Sequence, residues 1–141
     1  MSKTFNMKLI MMIASLFMGG LTIFAQQLNV TVFPPKVTGQ KTIVSLAITN
    51  NLAESVESAR AICFLMDDQG KMFGQSSKWV IGGTKDRPSL ISKEGTTFNF
   101  VITSPQPFAT TNLIAKISFS RVVLAGGRLA DIRHAVTVTT K

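Results

Sequence analysis

The chain holds a single histidine, His134, and a single cysteine, Cys63, so chemistry built on imidazole or thiolate must pass through those two side chains. Asp131 lies three residues before His134. In an extended strand that spacing puts the two on opposite faces, so no carboxylate-oriented imidazole is expected. Cys63 stands in Ala61-Ile62-Cys63-Phe64-Leu65, an apolar run that predicts a buried, inert thiol, because reactivity needs exposure and an electropositive setting. One His and one Cys cannot assemble a conventional zinc site within one chain. Asp67-Asp68-Gln69 offers oxygen ligands, but a calcium loop needs further carboxylates at regular spacing, so a plain hairpin turn is expected. No Gly-x-Ser-x-Gly elbow is present, and Gly82-Gly83-Thr84-Lys85 lacks the full spacing of a phosphate loop. No catalytic residue, metal ligand or cofactor is assigned, and a non-enzymatic role is expected.

Basic side chains are the stronger candidates. Lys78, Lys85 and Arg87 flank a central loop, and Arg121, Arg128 and Arg133 lie on or beside the expected last hairpin. These six are the candidate surface contacts. Arg121 and Arg133 would share a face if strand pairing set them opposite each other. Fifteen Lys and Arg against seven Asp and Glu give a net charge of +8. Such a charge draws anionic surfaces by long-range attraction. The dense basic stripe and regular aromatic interleaving of a nucleic-acid binder are missing, so nucleic acid is not an expected partner.

Placing these residues requires the chain's organisation. Lys3 and Lys8 open a leader without acidic residues, and Leu9 to Ala25 is uncharged and mostly apolar before Gln26-Gln27. That order reads as a secretory signal peptide over residues 1–25, leaving residues 26–141 as one domain. The apolar run of about 17 residues is also near the lower limit for a membrane span, so a retained tether is the rival reading. The expected location is exported: periplasmic, cell-surface or secreted. Without Lys3 and Lys8, thirteen basic side chains face seven acidic ones, a net +6. With one cysteine no internal disulfide can form, and lipid attachment near the cleavage point is excluded.

The domain reads as short strands separated by turns. Leu28 to Phe33 alternates until Pro34-Pro35, which cannot donate to a ladder. Thr42 to Thr49 alternates, with Val44, Leu46 and Ile48 on one face. Residues 57–66 read as a central strand buried on both sides, and Asp67-Asp68-Gln69-Gly70 turns the chain into a partner strand from Lys71. Gly74 to Val80 is mixed, with Trp79 expected to fill or rim the core. Gly82 to Pro88 is the most obvious exposed loop. Thr96 to Ile102 alternates cleanly, with Phe98, Phe100 and Ile102 on one side. Thr103 to Thr111 is a second loop. Asn112 to Leu124 and Leu129 to Thr139 read as two arms reversing at Ala125-Gly126-Gly127. About eight strands with little helical periodicity predict a sandwich or small barrel. In a sandwich, the row from Val44 to Ile48 would meet the phenylalanine row across the two sheets.

Thr42 to Asn50, then Ala61-Ile62-Cys63-Phe64-Leu65-Met66-Asp67-Asp68-Gln69-Gly70-Lys71, then Gly95-Thr96-Thr97-Phe98-Asn99-Phe100-Val101, resembles the FxLYD-type immunoglobulin-like domains of bacterial exported proteins. The resemblance covers roughly residues 42–120 and implies an all-β immunoglobulin-like β-sandwich with no catalytic residues. It implies an accessory or interaction domain. The expected function is thus an exported, non-enzymatic interaction or accessory domain of the cell envelope, contacting a protein or another envelope component. The alternative is an extracytoplasmic binding module for anionic glycan or lipid ligands, favoured by a compact pocket rimmed by Lys85, Arg87 and Arg121.

Overall fold

The computed structural model describes residues 26–109 and 112–141. The leader reading of residues 1–25 and two positions of the Thr103–Thr111 loop lie outside the described residues. Eight strands follow in order: β1 (Leu28–Val32), β2 (Lys36–Thr38), β3 (Lys41–Asn50), β4 (Val56–Asp67), β5 (Met72–Ile81), β6 (Gly95–Thr103), β7 (Leu113–Leu124) and β8 (Val136–Thr140). A 3-10 turn at Ala125–Gly127 and a four-residue helix, α1 (Ile132–Ala135), separate β7 from β8.

The strands form two packed sheets, one of five strands and one of three. In the larger, β6 pairs with β3 along Lys41–Thr49, while β1 pairs with Leu46–Asn50 and β2 with Lys41–Ile43. Those overlaps put β1 and β2 on one edge of β3 and β6 on the other. The break between β1 and β2 falls at Pro34-Pro35, as proline's missing N–H requires. β8 adds to β1 in parallel. The smaller sheet runs β5-β4-β7, all antiparallel. The core lies between the sheets, with Leu28, Val44, Leu46, Phe100, Ala61 and Leu65 essentially inaccessible.

Alternation explains most of this. Every second residue of β3 from Thr42 is buried, and β7 buries Leu113, Ala115, Ile117 and Phe119 while exposing the residues between. Three expectations change. Val44 and Leu46 do not face the phenylalanine row across the sandwich; they sit beside it in one sheet, opposite Phe100 and Phe98. The covering layer is instead the inner face of β4 and β7. β4 is central but is not buried on both sides: Ile62, Phe64 and Met66 are only half-buried, because no third layer of the described residues covers the outer face. Finally, Leu129 to Thr139 is not a returning arm. After Gly126 and Gly127 reverse the chain at positive φ, only Leu129 and Ala130 stay with β7 before α1 carries the chain across to the other sheet.

Candidate functional site

β5 and β6 are edge strands of opposite sheets and lie against each other, so close that a Cβ on Gly74 would fall 2.8 Å from Cγ2 of Ile102. Gly74 to Val80, mixed as a sequence, is continuous strand. A register shift beside Ala59 and Arg60 lets both Val80 and Ile81 be buried and sets Trp79 opposite Arg60. Arg60 falls between buried Ala59 and Ala61, so it and Trp79 share the outer face. Trp79 therefore stands outside the core, a correction to its expected role. Lys78 lies opposite Ala61 on the inner side, but at the open rim, where it is exposed.

The Gly82–Pro88 loop completes the site. Gly82 adopts φ 53°, and a Cβ there would sit 1.9 Å from the Glu57 carbonyl oxygen, so only glycine lets the loop pass this close to β4. Its N–H donates to the Pro88 carbonyl at 3.1 Å, closing the loop's base. Gly83 lies against the indole, and a Cβ there would sit 2.4 Å from Cδ2 of Trp79. Folded back in this way, the loop carries Arg87 over the Phe98 ring, 4.6 Å from its centroid. The Arg60 guanidinium lies 5.4 Å from the Trp79 centroid. Together these residues line an open groove of about 360 Å³, with Lys78 and the hydroxyl-bearing Ser77 and Thr84 on its wall.

Among the described residues, no carboxylate lines the groove. The ion pairs among the described residues are Arg128 with Glu54 and His134 with Asp131, so Arg60, Lys78 and Arg87 have no acidic counter-charge there. Arg121 stands directly across β4–β7 from Arg60 and adds a further cation to that face. A guanidinium over an aromatic face is oriented by the ring quadrupole yet keeps its in-plane N–H donors available. Two such groups with an ammonium and two hydroxyls make a donor set for a carboxylate or phosphate.

No protein-family model, curated protein or solved structure matches the chain.

The six basic candidates do not form one surface. Lys78 and Arg87 meet in the groove, and Arg121 is on the neighbouring strand, outside its lining. Lys85 projects from the loop into solvent without lining the groove. Arg128 is bonded to Glu54. Arg133 sits in α1 and is not opposite Arg121, since that segment never pairs with β7. The residue missing from the sequence reading is Arg60. Its signal was a lone charge within an apolar strand, sharing the parity of Ile62 and Phe64 rather than that of the core.

The remaining candidates resolve locally. His134 and Asp131 do meet, with Nδ1 2.8 Å from Oδ2, because the segment is helical rather than extended. Asp131 is the helix N-cap, accepting from the Arg133 N–H at 3.3 Å. The His134 hydrogen bond holds its carboxyl below the ordinary 3.8. Both side chains are largely exposed, which fits a solvated cap. Asp67 accepts from the Gln69 and Lys71 N–H groups at 2.9 and 2.8 Å, the bonds of a hairpin turn. Cys63 faces the core, and burial pushes its thiol up to about 11.

Proposed function

We propose that this chain is an exported, non-enzymatic binding module of the cell envelope, and that its groove holds an anionic group of a glycan or lipid. The observation that carries this is the pair of guanidinium groups, Arg60 and Arg87, held on Trp79 and Phe98 with no carboxylate in the groove. A structural arginine is usually matched by an acid or a carbonyl. Two that are oriented but unmatched favour a ligand that brings the negative charge.

We further infer an immunoglobulin-like arrangement of the sandwich. Its support is the connectivity: β3 and β6 pair in one sheet, β4 and β7 in the other, and the chain crosses between sheets from β3 to β4. β8 departs from that arrangement by joining β1. Residues 42–120, which carry the FxLYD-type resemblance, contain this paired core.

The test titrates the full chain with an oligogalacturonate, a neutral dextrin of equal length, and vesicles of phosphatidylglycerol or phosphatidylcholine. Saturable binding to the oligogalacturonate or to phosphatidylglycerol, but not to the neutral probes, is expected, and the stronger arm identifies the source of the anion. Arg87→Ala should weaken that binding about tenfold or more, since a hydrogen bond to a charged group contributes roughly 1.5–3 kcal/mol. Equal binding to charged and neutral probes, or an unaffected Arg87→Ala, would falsify the reading. Export itself predicts a product beginning at Gln26 by mass spectrometry; a full-length membrane-bound product would contradict cleavage.

A further inference from the structure

On the opposite edge of the smaller sheet from the groove, β7 has, among the described residues, a ladder only on its β4 side. Its outward edge is used at the C-terminal end alone, where the Leu124 N–H donates to the Arg128 carbonyl and the Ala130 N–H to that of Val122. Along Leu113–Arg121, nine residues of β7, the outward backbone groups have no protein partner among the described residues. The next strand in the chain would cover this edge, but β8 crosses to the other sheet and pairs with β1.

The vacancy shows in the core. Leu113, Ala115, Ile117 and Phe119 keep 5–7% of their surface, whereas Ala59, Ala61, Cys63 and Leu65 of β4, flanked on both sides, keep 0%. Cavities flank the edge at both ends. One, about 190 Å³, lies between Phe33-Pro34-Pro35 and Leu113 to Ala115; the other, about 310 Å³, lies between Arg121 and Val122 and the Leu129 to Ile132 segment. β7 has no proline and no acidic residue, so Lys116 and Arg121 are its charged protection against edge pairing. Among the described residues, each cavity is lined by one cationic side chain, that of Lys141 or Arg121, and by no acidic side chain.

We propose that the free edge of β7 receives a strand donated by another protein, an extended acidic segment of about nine residues, as in β-strand addition. Its backbone completes the ladder of Leu113–Arg121. Its alternate apolar side chains close the seam over Ala115, Ile117 and Phe119, and its acidic side chains, on the outer face, meet Lys116 and Arg121. Charge selects this occupant over a second copy, which would bring the same cations and a domain of net +6, thirteen basic against seven acidic residues in 26–141.

A blocked nine-residue peptide alternating Val and Glu tests this against a peptide of the same composition with its Glu and Val in separate blocks. Titrated into the full chain, the alternating peptide should bind about tenfold more tightly than the block peptide, and Lys116→Glu should weaken it about fivefold or more. Hydrogen exchange should show new protection of amides between Leu113 and Arg121. Equal binding of the two peptides, or protection falling on β5 or β6, overturns the proposal. Concentration-dependent dimerisation that protects the β7 amides without peptide also overturns it, by giving the edge to a second copy.

Discussion

A methyl group at Gly83 would enter the indole of Trp79, and one at Gly82 would collide with the Glu57 carbonyl. These two backbone positions hold the loop that presents Arg87. Gly83→Ala should cost roughly 1–3 kcal/mol, the scale of strain at a positive φ with a clash. It should also shift the fluorescence of the only tryptophan and weaken anion binding; an unchanged emission spectrum would contradict the Gly83–Trp79 contact. Cys63 gives a pH-dependent prediction. Its folded pKa, about 11, lies above the ordinary 9.0, so the unfolded chain loses this proton first. The stabilisation is complete below 9.0 and declines as pH rises towards 11. Compared with Cys63→Ala in denaturant titrations, the native chain should lose up to ~3 kcal/mol across that window. A pH-independent difference would mean that the thiol is solvated.

Among the described residues, Thr42 and Asn50 are the buried polar side chains, and of the two it is Asn50 whose hydrogen bonds join elements. At the end of β3 it is fully buried, donating to the carbonyls of Glu54 and Leu90 at 3.1 and 3.0 Å and accepting from the Leu52 N–H at 3.0 Å. It thereby ties the β3–β4 connection to the segment that precedes β6. Asn50→Ala should destabilise by roughly 2–4 kcal/mol, because three bonds are lost and one of their backbone partners, the Leu90 carbonyl, is left buried. Thermal melts would check this, with a change below ~0.5 kcal/mol sinking the assignment. The sequence shows Asn50-Asn51 as a strand end, and so it is. The reach of one side chain to Leu90, forty residues on, has no local signature. The same limit applies to α1: Asp131 through Ala135 contains no helical period long enough to reveal it, and its capping carboxylate shows its role only once the chain has left β7.

For the whole molecule, Phe100 connects stability with the groove. It is 1% exposed and packs edge-on against Phe98 with centroids 4.9 Å apart, and Phe98 in turn carries Arg87. Phe100→Ala should cost roughly 3–5 kcal/mol by cavity formation, read from denaturant midpoints. It should also loosen anion binding, and full retention of both would contradict this packing. By itself, the sequence determined the inward rows of β1, β3 and β6, the ends of β1, β3, β4, β6 and β7 within a residue or two, and the turns at Asp67–Gly70 and Ala125–Gly127, because alternation and turn chemistry are local properties of the backbone; it did not show β2, the helix before β8 or the one-sided burial of β4. It also singled out Lys78 and Arg87. Only the tertiary structure decided that β3 and β6 are neighbours, that β8 joins β1, that Arg60 meets Trp79, and that no described strand covers the outer edge of β7. Those outcomes depend on strand order and register, which are set by how whole faces exclude water together and which no single segment encodes.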